Sequence, residues 1–284
     1  VTEAAVTSPG ERPQGERRAE REAAKRARAR RNTLIAAVSS IVVIGGLATL
    51  VLTSPGWPTV RETFFSWGEF KNAFPEVLSG FWLDVKIFMV VEVAVLIIAL
   101  TIALIRVNRS PGLFPVRLLS TIYVDLFRGV PSLLLIYMIG FGVPALELEG
   151  WPTNPIVLGG IALTLAYSAY VSEVFRAGIN SVHKTQTDAA LSVGLTRTQA
   201  MRHVVLPQAI RRVAPPLLND FVALQKEVAL IATIGPQEAV RVAQIFQGEN
   251  FNYTPLIAAA LLFLVVTVPL ARLVDRMGGA GGVR

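Results

Sequence analysis

The sequence predicts an all-α membrane protein with about six transmembrane helices and one large, organised cytoplasmic loop. Three observations carry that expectation. The 284 residues are 52% hydrophobic and only 17% charged, with a mean hydropathy of +0.53, too apolar for a soluble domain of this size. Leu34 to Thr53 is a run without charge, long enough at roughly 1.5 Å per residue to cross a hydrocarbon core of roughly 30 Å. Finally, 21 of the 27 basic residues fall on segments that six spans would leave on one side of the bilayer.

Composition also narrows the chemistry. The absence of cysteine excludes disulfides, thiolate metal sites and cysteine nucleophiles. The two histidines, His183 and His203, both fall in a polar loop, which argues against a histidine metal cluster. A net charge of +7 and a pI near 10.1 would point to nucleic acid in a soluble protein, but a membrane protein carries the same excess on its cytoplasmic loops.

Taken in order, residues 1–33 hold nine basic and five acidic side chains and almost nothing to bury. They read as a basic cytoplasmic tail beside anionic lipid, with Glu16 to Arg31 suited to a helix. Arg30 and Arg31 ahead of an apolar run faintly resemble a twin-arginine export signal. More spans come after it, however, and no small-residue cleavage site closes the run at Thr49 to Pro55. Residues 34–53 are the first span and 54–84 an extracytoplasmic linker; a five-helix core occupies 85–275, and 276–284 is a C-terminal tail. Within the core, spans are expected at about 85–105, 118–142, 156–175, 214–235 and 254–272. The span at 214–235 carries Pro215, Pro216, Asn219, Asp220, Gln225, Lys226 and Glu227, so it crosses only with that polar face toward protein or a water-filled cavity.

Charge then sets the orientation. Arg106, Arg109 and Arg117, six basic residues in the 176–213 loop, and Arg272, Arg276 and Arg284 join the tail on the inside. The outer segments hold Arg61, Lys71 and Arg241. Both termini are therefore expected in the cytoplasm.

The loop at about 182–207 is organised. Thr185 with Asp188 fits a capping box, Gly194 would end the short helix it opens, and Thr196 with Gln199 fits a second box, with Leu195 and Ala200 as its hydrophobic staple. Pro207 marks the expected stop. Ala189 and Ala190 are small enough for a partner surface to approach the backbone.

Here the residues carry a resemblance. Thr187-Asp-Ala-Ala-Leu-Ser-Val-Gly194, nine residues, then Val204-Val-Leu-Pro207 resembles the EAA loop of ABC importer permeases, with Asp188 in place of the usual Glu. Five further stretches are similar to the polar amino acid branch of that family: Tyr123-Val-Asp-Leu-Phe-Arg-Gly-Val-Pro131, Glu173-Val-Phe-Arg-Ala-Gly178, Leu206-Pro-Gln-Ala-Ile-Arg211, Pro215-Pro-Leu-Leu-Asn219 and Lys226-Glu-Val-Ala-Leu230. Together they cover the chain from near Gly80 to Asp275. The usual members have five spans. The helix at 34–53 is thus an addition, as in the actinobacterial glutamate importer permeases that the chain resembles most.

The resemblance implies a type I ABC importer permease with a cytoplasmic coupling helix, in which Asp188, Ala189, Ala190, Gly194, Leu206 and Pro207 meet a separate ATPase. It further implies two cytoplasmic ATPase subunits that bind ATP and Mg, a second permease (identical or related), and an extracytoplasmic binding protein. Such a complex would sit in the bacterial inner membrane, in contact with lipid, and import a polar amino acid, glutamate first among them. No cofactor is expected on this chain, no nucleic acid as partner, and no ATPase activity of its own, since nothing here resembles a P-loop.

Charges within the spans supply the candidate translocation path: Glu92, Asn219, Lys226 and Glu227. Glu92 falls roughly 11 Å and Lys226 roughly 12 Å from the outer edge of their spans. The two either pair across a helix interface or flank the path, with Lys226 meeting a substrate carboxylate and Glu92 an ammonium. Asp125-Leu-Phe-Arg128 and Glu173-Val-Phe-Arg176 each suit an i,i+3 ion pair. The alternative function is an ion-coupled secondary transporter using Glu92, Asp220 and Glu227 as proton or sodium sites. An organised loop and the lack of an inverted repeat weigh against it.

Overall fold

The computed structural model describes residues 14–108 and 110–280. The first part of the expected tail, Arg109 and Arg284 fall outside the described residues. The chain divides into Val1–Arg61 and Glu62–Arg284.

In the first unit, the helical half of the tail and the first span form one continuous helix, α1 (Gln14–Leu52). Arg28–Leu52 is long and apolar enough to cross a membrane, and its large apolar side chains, Leu34, Ile41 and Leu50 among them, are all exposed.

The second unit is built around α3 (Trp67–Val107), which comes after the short α2 (Trp57–Phe64). Most of the expected linker at 54–84 is therefore helical. Ser66 caps α3 by accepting the N–H of Glu69, while its own N–H donates to Thr254 Oγ1 at 2.9 Å. Ala73, Val77, Phe81, Phe88, Val91, Val95, Ala99 and Ala103 recur every three or four residues over most of the helix and make one buried stripe along it. The first half of that stripe packs on α10 (Ala239–Asn250) and α11 (Thr254–Ala280) through Ala239, Ala243 and Ala259. The second half packs on α6 (Pro155–Ser181) in the main core, around Leu163, Ala166 and Tyr167.

The expected span at 118–142 is two helices, α4 (Phe114–Gly129) and α5 (Ser132–Ala145), bent by 103°. Pro131 at the break lacks an N–H to continue α4, and its carbonyl instead accepts the N–H groups of Leu134 and Leu135 to start α5. Tyr123 anchors α4 to α6 by donating to the Leu165 carbonyl at 2.7 Å.

Two short helices, α7 (Lys184–Ser192) and α8 (Arg197–Ala200), lead from α6 to the segment expected as the fifth span, which also breaks. Its helix, α9 (Leu206–Glu227), carries on into a 3-10 stretch, Val228–Ile234, which stops at Gly235 with φ +118°. Ile231 and Ile234 of that stretch fill the space left by Gly159 and Gly140, where an added Cβ would lie 2.8 Å from them. Among the described residues four helical stretches, Arg28–Leu52, Trp57–Val107, Pro155–Ser181 and Thr254–Val274, are long and apolar enough to span. The bent pair makes a fifth. The expected span at 214–235 fails that test because α9 is too polar, so it crosses only while shielded by its neighbours.

Candidate functional site

Between α6 and α9 the chain makes an exposed excursion. It begins with α7, whose cap is His183; the His183 side chain accepts the N–H of Thr185. The expected Thr185–Asp188 box is therefore not what starts this helix: it begins earlier, and the imidazole takes the capping role. Gly194 comes next with φ +89°, the left-handed conformation that ends helices and favours glycine. The second box forms as expected. Thr196 Oγ1 accepts the N–H of Gln199, and Gln199 Oε1 accepts the N–H of Thr196, opening the one-turn α8.

Pro207 does not stop the helix. After α8 the chain widens into a π turn, Met201–Val205, with the Leu206 N–H reaching back to the Met201 carbonyl. Pro207 then sits in the first turn of α9, where its missing N–H is harmless.

The placement of the six loop residues results from this path. Asp188, Ala189, Gly194 and Pro207 are exposed, Leu206 is half-buried, and Ala190 is buried within the loop. Val193, which no sequence signal singles out, stands out from the surface at 79% exposure. Both ends of the excursion are fastened. Gly178 on α6 lies so close to α9 that a Cβ there would overlap Val213, and it would lie 3.3 Å from the Ala209 carbonyl. Arg212 on α9 donates to the Ser181 carbonyl at the end of α6.

A second fastening joins α3 to α6. Arg106, in the last turn of α3, pairs with Glu173, and Arg176 donates twice to the same carboxylate, at 2.6 and 3.0 Å. The Glu173–Arg176 pair is legible in the sequence; its third member is not. Asp125 and Arg128 form no ion pair among the described residues. Arg128 instead lies over the Tyr170 ring, 5.7 Å from its centroid, and accepts the Tyr170 hydroxyl at its carbonyl.

Deeper in the helices, Glu92 does not pair with Lys226. Lys226 is exposed and forms no ion pair with Glu92 among the described residues; the acid near Glu92 is Asp220 of α9. The two side chains face different surroundings. Asp220 and Glu227 are seven residues apart and share a face of α9, while Lys226 is turned about 100° from Glu227. That shared face looks toward α6, where both carboxylates lie near Tyr167. Phe221 beside them packs edge-on against Phe88, with ring centroids 4.6 Å apart. One oxygen each of Asp220 and Glu227 is buried without a hydrogen-bond partner. Asn219 is exposed next to this cluster. Among the described residues, no three of His, Cys, Asp and Glu gather closely enough to hold a metal ion. The arrangement is a set of partly buried acids with unused acceptor capacity, chemically complementary to an ammonium or guanidinium group. Tyr167 carries no signal in the sequence that would place it there.

Comparison with known proteins places these features. Residues 113–278 match the family described as "Binding-protein-dependent transport system inner membrane component". The probable amino-acid permease protein YxeN of Bacillus subtilis is 35% identical over 212 residues, 74% of this chain and 92% of that protein. A putative glutamine transport system permease protein, GlnP of Rickettsia felis, is 33% identical over 68% of this chain and 86% of its own length. The arginine transport system permease protein ArtQ of Bacillus subtilis is 32% identical over 69% and 88%. Among solved structures, that of an amino acid ABC transporter with histidines aligns with a TM-score of 0.66 at 30% identity, covering 74% of this chain and 96% of that one. A methionine ABC transporter chain, MetNI, shares the fold at a TM-score of 0.57 and 19% identity. An all-α, multi-pass architecture with a fastened loop between α6 and α9, matched over this length, means that the chain belongs to the inner membrane components of binding-protein-dependent transport systems, the permease subunits of ABC importers, whose ATPase is a separate subunit.

Proposed function

We propose that this permease carries a polar amino acid across the inner membrane and takes its energy from two cytoplasmic ATPase subunits that dock on the α7–Gly194–α8 loop. The observation that carries this reading is the loop itself: Asp188, Ala189 and Val193 exposed on a short helix and its end, with the excursion fastened to α6 and α9. A push on α7 is thereby delivered to the two helices that hold Tyr167, Asp220 and Glu227. ATP and Mg would bind the ATPase subunits; a second permease copy or relative would complete the pore, and an extracytoplasmic binding protein would deliver substrate. The basic residues toward the N-terminus would lie in the cytoplasm against anionic lipid.

For the substrate, the acids Glu92, Asp220 and Glu227 favour the α-ammonium of an amino acid and, beyond it, a neutral or cationic side chain. Glutamate, the expectation from the sequence, would bring two carboxylates to a site whose nearby cation, Lys226, points elsewhere. Relatives named for glutamine and arginine fit the acidic set better. The test is to purify the chain by a tag together with its native neighbours, compare it with Gly194→Trp, and reconstitute uptake of labelled glutamine, arginine and glutamate. Co-purification of an ATPase that Gly194→Trp abolishes, with ATP-dependent uptake of glutamine or arginine, supports the reading. Uptake that ignores ATP but collapses with an ion gradient would favour the secondary transporter instead.

A further inference from the structure

Two carboxylates that transport chemistry leaves unused are buried where α3 meets the start of α10. Asp84 is 2% exposed and Glu238 fully buried. Gly80, one turn before Asp84, permits the approach: a Cβ there would lie 2.7 Å from the Glu238 carbonyl carbon and 2.8 Å from the Ala239 nitrogen. Glu238 caps α10, its Oε2 accepting the N–H of Val240 at 2.9 Å and its Oε1 that of Arg241 at 2.6 Å. Asp84 Oδ2 accepts the N–H of Ala239 at 3.3 Å, next to the Glu238 carboxyl. Asp84 Oδ1 is buried and has no hydrogen-bond partner.

The charge balance of this corner is unfavourable for two carboxylates. A helix N-terminus offsets about half of one negative charge, and here two acids share it. No ion pair reaches either acid among the described residues. On the elements packed around them, Lys86 of α3 lies beside Trp82, Arg241 of α10 is exposed and contributes only its backbone N–H, and Lys226 of α9 is exposed. Beyond Asp84, toward α9 and α11, lies a cavity of about 150 Å³ lined by Phe88, Phe221, Gln225 and Val266, without a cation. Burial raises the Glu238 carboxyl above the ordinary glutamate range, against the opposing pull of its two backbone N–H bonds.

We propose that Asp84 and Glu238 form a proton-binding site in which one proton, taken from solvent, sits on Asp84 Oδ1 and leaves Glu238 ionised. Both oxygens of Glu238 serve as acceptors for α10, the role of a carboxylate; Asp84 Oδ1 accepts nothing and is free to bear hydrogen. The proton-bound form is the packed form. As pH rises the proton returns to water, two like charges face each other at one helix end, and the contact between α3 and α10 weakens. The stabilisation is thus complete at low pH and lost as pH rises.

The experiment tracks thermal unfolding of the full chain in detergent from about pH 4, the ordinary carboxylate range, to about pH 9, for wild type and for Asp84→Asn, Asp84→Ser and Glu238→Gln. Wild type should lose midpoint as pH rises, and either neutral replacement at 84 should remove at least half of that loss. Glu238→Gln, which sets an amide donor against backbone donors, should lower the midpoint at every pH. A wild-type slope retained in Asp84→Asn or Asp84→Ser overturns the proposal. So does failure of both variants to fold, because a position already neutral tolerates neutral side chains. If Glu238→Gln flattens the slope and the Asp84 variants do not, the proton is not on Asp84 and the assignment fails.

Discussion

Gly178 on α6 and Val213 on α9 occupy one another's space so closely that a single added carbon on Gly178 would overlap the Val213 side chain. The two helices that leave and re-enter the body on either side of the loop thus meet with almost nothing between their backbones. Gly178→Leu should therefore cost about 1–3 kcal/mol by overpacking. It should also separate the loop from α9, seen as a lower unfolding midpoint together with weaker ATPase co-purification. Gly178→Ala combined with Val213→Ala should recover most of the stability, since the second change vacates the room the first one needs.

The Arg106–Glu173–Arg176 group offers a charge experiment. Glu173→Gln leaves two guanidiniums facing a neutral amide and should cost about 2 kcal/mol, in line with hydrogen bonds to charged groups. Arg176→Gln should cost less, because Arg176 is more exposed than Arg106, at 38% against 11%. A double-mutant cycle on unfolding midpoints separates the two pairs.

Within the helices, Glu92→Gln and Lys226→Met should behave differently. Glu92 shares its surroundings with Asp220, and its neutralisation should lower ATP-driven uptake several-fold with assembly intact. Lys226 points away, so its replacement should leave the affinity for substrate unchanged. Uptake kinetics on reconstituted complexes report both.

The cap at Thr196 makes a local prediction. Thr196→Ala removes the acceptor for the Gln199 N–H and should cost about 1 kcal/mol. That loss should appear as faster amide hydrogen exchange across α8 and the π turn while exchange in α3 is unaltered.

How much of the fold and the site is legible in the sequence depends on the kind of signal. The apolar run Leu34–Thr53, the helix-ending Gly194 and the Thr196–Gln199 box are written in adjacent residues, and each is found where local chemistry requires it. The break at Pro131 and the π turn before Pro207 escape sequence reasoning because a hydropathy window or a stop signal does not say where a backbone re-forms its hydrogen bonds. Residues 67–84 resemble a linker since their buried stripe is spaced for a helix but diluted by Glu69, Lys71 and Glu76. The loop residues are legible as a set, yet Ala190 of α7 turns inward while Val193, at the cap where the chain leaves that helix, stands outward, a change of path that sequence spacing alone leaves open. The same holds for Lys226 and Glu227, neighbours in sequence that face different surroundings. Arg106 with Glu173, and Tyr167 with Glu227, join residues far apart in the chain, and no local pattern announces them.

The π turn at Met201–Val205 also sets the rotational phase of α9. A π turn holds one more residue than an α turn, and each residue rotates a helix by about 100°. Were this turn to relax to ordinary α geometry with every residue kept, the whole of α9 would swing by about that angle relative to α8 and carry Asp220 and Glu227 off Tyr167, whereas deleting one residue along with the relaxation would leave the facing of α9 as it is. The widened turn thus works as the timing mark that decides which side of α9 looks inward, several helical turns further along the chain.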